Sequence, residues 1–229
     1  MTKGVFIVID GPDGSGKKTQ TKLLADRLRK EGRNIETLSF PQYGKPEAFF
    51  VEQYLTGKYG TVNDVGAKRA SVLFAVERYH ASHEIRQMLA EGITIISDRY
   101  VAANKGHQMA KISDPAERKA FLEWINDFEY GIMNIPKPDL TILLHVPSEI
   151  AYELIGKKDE RGYLDGKKRD IHEADAGHLK AAEQAYLEMP LLDTVENWKK
   201  IECVENGALL SIEAIHEKLH QLVTQYLGA

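Results

Sequence analysis

The feature that most constrains this chain is a glycine-rich loop near its amino end, which follows the apolar segment 4–10 and leads into a helical pattern. The loop, 11–17, fits the phosphate-binding pattern of a glycine, four further residues, a glycine and a lysine. Glycine is required because only a residue without Cβ lets successive backbone N–H groups curl around a phosphate. The following helix directs the positive end of its dipole at the same anion. The pattern therefore predicts a nucleotide-phosphate site, rather than a glycine-rich turn with an incidental lysine.

The two lysines at the end of the loop bear on how phosphates and metal are held. Lys17 is expected to act as a mobile cation for the outer phosphates. The next residue is usually a Ser or Thr whose hydroxyl holds Mg²⁺, but here it is Lys18, which cannot ligate a cation. The metal must therefore rely on phosphate oxygens, water and a carboxylate elsewhere. The residues predicted to contact the nucleotide phosphates are Gly11, Asp13, Gly14, Ser15, Gly16, Lys17, Lys18 and Thr19.

Asp13 stands inside the phosphate loop, where a carboxylate is electrostatically unfavourable unless it has a partner. We expect it to hold Mg²⁺ or to orient a group on the acceptor, because it lies where an acceptor phosphate must approach. The alternative is that Asp13 caps the loop by bonding to its own backbone.

Length and composition bound the class of protein. A chain of 229 residues suits a single domain, 1–229, with a small lid. The net charge of −4 does not favour nucleic acid as a partner. Cys203 is the only cysteine, so an intrachain disulfide is excluded, which suits a reducing cytoplasm. The first apolar run is too short for a signal or membrane segment, and we expect a cytoplasmic protein with no membrane partner.

Strands and helices alternate along the chain. After the first strand, further apolar strands are predicted at 34–40, 93–97, 140–146 and 198–204, with helical patterns between them. This alternation is typical of an α/β fold, here a five-stranded parallel sheet with helices on both faces.

Polar residues follow three of these strands. Ligands of an open parallel sheet bind at the carboxyl ends of the strands, so Asp13, the turn 40–44 and the pair Asp98 and Arg99 should gather at one edge. Arg99 can bind an acceptor phosphate with two parallel hydrogen bonds. Asp98 can hold a metal through water or accept a hydrogen bond from a hydroxyl group. The alternative is a helix-initiating Asp beside a salt-bridged Arg.

A long helix is predicted at 66–90, and it carries an aromatic residue and an arginine four positions apart. At that spacing the Phe74 ring and the Arg78 guanidinium lie on one face, where they could stack a base and bond to its edge. The commoner meaning of such a pair is a core Phe beside a surface Arg, and that alternative stays open.

Two helices are predicted to bury apolar stripes. The stripe of the helix 66–90 is assigned to Val72, Val76 and Tyr79. The stripe of the helix that begins at Asp114 is assigned to Phe121, Ile125, Phe128 and Ile132.

The charged segment 157–169 is predicted to form a basic lid over the transferring phosphate. Its closure would exclude water and so suppress hydrolysis. Arg161 and Arg169 are the residues we assign to the transition-state contacts, and Glu173 follows at the start of the next helix. The alternative is a solvated loop.

Taken together, these stretches resemble the thymidylate kinase family of P-loop nucleoside monophosphate kinases, over nearly the whole chain. The loop alone indicates only a nucleotide-binding class, whereas the spacing of Phe74 and Arg78 followed by Asp-Arg-Tyr is specific to this family. The matching stretches are Asp10-Gly-x-Asp-Gly-Ser-Gly-Lys17, Phe40-Pro41, Leu73-Phe74-Ala75-x-x-Arg78, Asp98-Arg99-Tyr100, Pro138-Asp139 and the arginine-containing lid that ends in Glu173.

The resemblance implies ATP as phosphoryl donor, Mg²⁺, dTMP as acceptor and dTDP as product, in a homodimer packed through helices. It implies that Phe74 stacks on thymine and that Arg78 and Asn104 contact the base edge. Phe40 and His107 would complete the acceptor pocket. Tyr43 resembles a contact to the acceptor phosphate or to the metal shell.

The resemblance also assigns the phosphate chemistry. It implies catalytic roles for Lys17, Asp13, Arg99, Arg161 and Arg169, of which Arg99 clamps the acceptor phosphate and Asp13 lies near the sugar and phosphate. The metal is assigned to Asp13, Asp98 and Glu173.

Four positions depart from the family pattern, namely Lys18, Gln42, Ala103 and His107. The changes at Ala103 and His107 motivate the alternative of a kinase that phosphorylates another monophosphate or a nucleoside. A nucleotide-dependent regulator is a second alternative, and Lys18 motivates a third, a non-catalytic member of the family.

Overall fold

The computed structural model describes residues 3–155 and 176–228. Its main sheet has five strands, β1 Phe6–Asp10, β2 Ile35–Ser39, β3 Thr94–Asp98, β4 Leu140–His145 and β5 Trp198–Glu202. All pair in parallel in the order β2-β3-β1-β4-β5, so β1 lies at the centre of the sheet. The short strands β6 Val204–Glu205 and β7 Ala208–Leu209 form an antiparallel pair. The predicted five-stranded parallel sheet is confirmed.

Helices connect the strands. They are α1 Lys17–Lys30, α2 Phe49–Leu55, α3 Val62–Val65, α4 Ala67–Ala90, α5 Val101–Met109, α6 Pro115–Asn126, α7 Ser148–Ile155, α8 Ala176–Leu192 and α9 Ile212–Leu227, with a 3₁₀ turn at Pro46–Ala48 and a π-helical segment at Asp127–Ile132. None of the helices within the described ranges is both long enough and apolar enough to cross a membrane.

The two faces of the sheet bury different side chains because neighbouring residues of a strand point in opposite directions. On β1, Ile7 and Ile9 pack with apolar residues of α1 and α9. Phe6 and Val8 pack on the opposite face with residues of α4 and the start of α5. The helices therefore cover both faces, and the strand ends remain accessible at one edge.

The stripe that we assigned to the long helix is wrong. Val72, Val76 and Tyr79 are 39, 44 and 46% exposed. The buried side of α4 instead carries small and polar residues, including Ala75 and Arg78. A periodic pattern identifies an apolar side of a helix, but it does not say whether the sheet or another surface covers that side.

The stripe after Asp114 is confirmed in part. Phe121 and Ile125 are buried, but the regular helix ends at Asn126 and the wider π-helical turn shifts the residues that follow. Glu129 is fully buried as a result, whereas Ile132 is 72% exposed. Single π-helical turns of this kind are frequent at functional sites.

Candidate functional site

The phosphate loop joins β1 to α1 as predicted. Gly11, Gly14 and Gly16 all have positive φ, at 147°, 87° and 81°. A Cβ on Gly14 would lie 2.5 Å from the carbonyl oxygen of Ala151 on α7, so neither the conformation nor the space admits a side chain. The loop is therefore held close to the helix that leads into the segment 156–175.

Lys17 is folded back onto the loop. Its Nζ donates hydrogen bonds of 2.8 Å to the carbonyl oxygens of Gly11 and Pro12 and one of 3.3 Å to Ser15 Oγ. Burial lowers the pKa of Lys17 to about 8, and the positive charge of Arg99 acts in the same direction. A bound phosphate would replace these neutral carbonyl partners with a charged one.

Lys18 and Thr19 are exposed on the first turn of α1. Within the described ranges, no group of three or more His, Cys, Asp or Glu side chains is arranged to hold a metal ion. Asp98 is 5% exposed, and its Oδ1 accepts no hydrogen bond from the described residues and lies 4.0 Å from Arg99 Nη1.

Arg99 occupies a left-handed backbone conformation with φ of 68°. Its backbone N–H bonds to the carbonyl of Ile9 on β1, and its guanidinium is ion-paired with Asp13. Burial alone would lower the pKa of Arg99, but the Asp13 and Asp98 carboxylates outweigh that effect and raise it. The structure therefore joins the phosphate loop to the end of β3 through charge.

A cavity opens at this edge of the sheet. It is lined by Asp13, Phe40, Pro41, Tyr43, Leu55, Phe74, Arg78, Arg99, Tyr100, Ala103, Asn104, His107 and Gln108. Every residue that we assigned to the acceptor lines the cavity except Asp98, whose Oδ1 lies 4.0 Å from Arg99 Nη1.

Phe74 and Arg78 both line the cavity from α4, as their spacing predicts. Phe74 is half-buried and meets the Tyr54 ring edge to face, with centroids 5.9 Å apart. Arg78 is only 2% exposed, so the alternative of a surface arginine is excluded. Arg78 forms an ion pair with Glu129, with 2.5 Å between Arg78 Nη2 and Glu129 Oε1, and both side chains are buried.

The turn after β2 is held against α4 by a carboxylate. Glu77 accepts a hydrogen bond from the backbone N–H of Gln42, next to a cis Phe40–Pro41 peptide bond. Burial raises the pKa of Glu77 to about 7, and the Gln42 hydrogen bond opposes this. Phe40 is buried below the cavity, and Tyr43 is 39% exposed at its rim.

His107 lies against the phosphate loop from α5. Its Nε2 is 3.8 Å from Asp13 Oδ2, and its ring stacks on His178 of α8 with centroids 5.8 Å apart. Burial lowers the pKa of His107 to about 3, although the Asp13 charge opposes this. A neutral imidazole therefore lines the cavity beside Asp13.

Sequence reasoning missed three buried polar residues here. No sequence pattern indicated that Glu129 is buried near the site, because it lies in a segment predicted to continue a regular helix. Asp10 accepts a hydrogen bond of 2.8 Å from Tyr186 Oη, and burial raises its pKa to about 6. Gln108 is fully buried at the cavity, and its amide bonds to no described residue. The three lid assignments, Arg161, Arg169 and Glu173, lie outside the described residues.

The chain is similar to proteins of one family over most of its length. The family model described as thymidylate kinase matches residues 9–208. Thymidylate kinase of Mycobacterium tuberculosis is 33% identical over 186 residues, which cover 81% of this chain and 85% of that protein. The human thymidylate kinase is 28% identical over 227 residues, which cover 96% and 90%. A solved thymidylate kinase structure from Candida albicans is similar with a TM-score of 0.71 and 22% identity, covering 98% of this chain and 92% of that one.

Proposed function

The chain belongs to the thymidylate kinase family of nucleoside monophosphate kinases, and we propose that it transfers the γ-phosphoryl group of ATP to dTMP, giving dTDP and ADP. The observation that carries the choice of acceptor is the cavity itself. It unites an aromatic ring, Phe74, and a buried guanidinium, Arg78, with the charged pair of Arg99 and Asp13 beside the phosphate loop. A pyrimidine ring fits Phe74 and Arg78, and a phosphate group fits the charged pair of Arg99 and Asp13.

We propose that the phosphate chemistry is mainly positioning and charge neutralisation, since phosphoryl transfer needs little covalent help from the protein. The loop N–H groups and Lys17 would hold the outer phosphates of ATP. Arg99 would bind the acceptor phosphate from the other side, and Asp13 would hold Arg99 in place. Arg161 and Arg169 remain our proposal for the lid contacts.

We propose that Asp98 and Asp13 hold Mg²⁺, directly or through water, together with the phosphate oxygens. The fit rests on the buried Oδ1 of Asp98, an oxygen that accepts no hydrogen bond from the described residues, and carboxylate oxygens are preferred Mg²⁺ ligands. The ion would neutralise charge on the phosphates, and its ligands would not include Lys18, which cannot bind a cation. Glu173 stays a proposal for the same shell.

We also propose that a second copy of the chain covers the exposed side of α4. Val72, Val76 and Tyr79 are exposed there, and α2, which contacts α4, exposes Phe49 and Phe50 by 50 and 51%. Such a concentration of exposed apolar side chains is typical of an interaction surface. Sedimentation of the wild type should give a dimer and that of Val76→Asp a monomer; a monomeric wild type would contradict the proposal.

The experiment for the activity is an ADP-release assay of the purified chain with ATP and Mg²⁺. We expect the highest kcat/KM with dTMP among dTMP, dUMP, UMP, CMP and thymidine, and loss of the signal in Lys17→Ala. Faster turnover of thymidine or of a ribonucleotide would favour the kinase alternatives. No release with any acceptor would favour the regulator or the non-catalytic alternative.

A further inference from the structure

A single buried carboxylate supports both side chains that would read the base. Glu129 Oε2 accepts a hydrogen bond of 2.7 Å from Arg78 Nε, and Oε1 accepts one of 2.5 Å from Arg78 Nη2. The same Oε1 accepts a third, of 2.8 Å, from Asn104 Nδ2. All three side chains are buried, with exposures of 0% for Glu129, 2% for Arg78 and 3% for Asn104. Glu129 itself does not line the cavity, so it acts through the other two.

The surroundings of Asn104 allow one orientation of its amide. Its Nδ2 lies between two groups that only accept hydrogen bonds, Glu129 Oε1 and the Ser71 carbonyl oxygen at 3.1 Å. If the amide were rotated, Oδ1 would face both of these oxygens. Two hydrogen bonds would then be replaced by two repulsive contacts between oxygen atoms. The amide NH₂ must therefore face Glu129, and Oδ1 is left over. This oxygen is buried and accepts no hydrogen bond from the described residues.

The result is a fixed pattern of one acceptor and one set of donors beside the cavity. Asn104 offers Oδ1, and Arg78 keeps the Nη1 hydrogens that Glu129 does not use. A thymine or uracil ring matches this pattern, because its N3–H donates and the neighbouring O4 accepts. Cytosine mismatches at both positions, since its N3 accepts and its 4-amino group donates. Unpaired buried polar groups make such a mismatch costly.

We propose that Glu129 is a positioning residue that sets base choice, because it locks Asn104 and Arg78 into the arrangement that accepts an imide-bearing pyrimidine and rejects cytosine. The proposal rests on the proposed function, since it takes a pyrimidine monophosphate as the occupant of the cavity. It assigns to the π-helical segment a role in specificity without contact with the substrate.

The test is Glu129→Gln, which keeps the shape and removes the charge. In either orientation the new amide places its NH₂ against a donor of Arg78, and in one of them also against Asn104 Nδ2, so the charged three-way contact is lost. We expect the ratio of kcat/KM for dTMP to kcat/KM for dCMP to fall about tenfold or more, mainly through a higher KM for dTMP. The ratio of dTMP to dUMP should stay within about twofold, since both bases carry the same imide.

Glu196→Gln is the matched control. Glu196 is also buried and also pairs with a buried cation, Lys105, at 2.5 Å, one position from Asn104 on α5. Neither Glu196 nor Lys105 lines the cavity. A purely structural effect would lower activity with all three monophosphates in parallel in both variants. The proposal would be overturned if Glu129→Gln lost activity with all three monophosphates in parallel. It would also be overturned if Glu196→Gln showed the same fall in the ratio of kcat/KM for dTMP to kcat/KM for dCMP.

A second measurement needs no variant and decides the matter should Glu129→Gln fail to fold. In a crystal structure of the wild type with dTMP, we expect Asn104 Oδ1 at hydrogen-bond distance from thymine N3, with Nδ2 still on Glu129. A base edge that contacts neither Asn104 nor Arg78 would overturn the inference. Failure of the proposed function would show itself separately, as a wild type that does not phosphorylate dTMP.

Discussion

Arg99 at the end of β3 is ion-paired with Asp13 of the phosphate loop. The pair spans the gap between the place where donor phosphates would lie and the place where the acceptor phosphate would lie. Asp98 contributes a second carboxylate 4.0 Å from the same guanidinium. An acceptor phosphate would therefore meet an arginine that is already oriented, in a backbone conformation that is unusual for a residue other than glycine.

Arg99→Ala should damage use of the acceptor far more than binding of ATP. Loss of one charge-assisted, two-pronged contact should cost about 1.5–3 kcal/mol, or roughly a 10- to 150-fold decrease in kcat/KM for dTMP. The dissociation constant of ATP, measured by calorimetry without acceptor, should change by less than about threefold. Equal losses of affinity for both nucleotides would contradict the assignment of Arg99 to the acceptor.

Phe74→Leu should raise the KM for dTMP. Stacking of an aromatic side chain on a base contributes about 1–3 kcal/mol, and leucine retains the apolar volume but not the flat ring. Phe121→Leu is the matched control, because it makes the same change at a core position away from the cavity and should lower the midpoint of thermal unfolding instead. An unchanged KM in Phe74→Leu would return Phe74 to a packing role.

Lys17→Met should lower kcat by about 100-fold or more, since the charge on the transferred group would lose a preorganised partner. The methionine keeps most of the apolar stem, so the effect isolates the ammonium group. Lys22→Met, on the exposed side of the same helix, is the control for net charge and should retain the wild-type rate. Steady-state rates at saturating ATP and dTMP measure the effect, and similar rates for the two variants would contradict it.

His107 should make the stability of the fold depend on pH. Its pKa is about 3 in the folded chain, against an ordinary value of 6.5 when unfolded. Between these values the unfolded chain binds more protons than the folded chain. The contribution of His107 to the free energy of unfolding therefore rises with pH, and it is lost progressively as the pH falls below about 6.5. Buried Asp10 and Glu77 act in the opposite direction, because their pKa values are raised to about 6 and about 7 and the folded chain binds their protons.

A variant separates these contributions. His107→Phe keeps a ring against His178 but cannot titrate. Urea unfolding at about pH 7.5 and about pH 5 should show a larger decrease in stability for the wild type than for His107→Phe. An equal decrease in both proteins would mean that His107 already carries its proton in the folded state.

Much of the fold and the phosphate end of the site could be predicted from local patterns. The glycine loop, the five apolar strands and the polar residues at strand ends are each specified by neighbours in sequence, and the ends of parallel strands must meet at one edge. The same reasoning failed on α4. Its apolar stripe of Val72, Val76 and Tyr79 faces outward, whereas Arg78 is buried.

The sequence by itself determined a phosphate-binding loop on a parallel α/β sheet, because the constraints on that loop are local: backbone angles that only glycine adopts easily, and a helix that begins at the anion. Tertiary structure alone decided how the base end is built. Glu129 lies 51 residues from Arg78 and 25 from Asn104, and it reaches both because a π-helical turn rotates it inward. A buried charge must find its partner wherever packing brings one close, and no spacing along the chain encodes that contact.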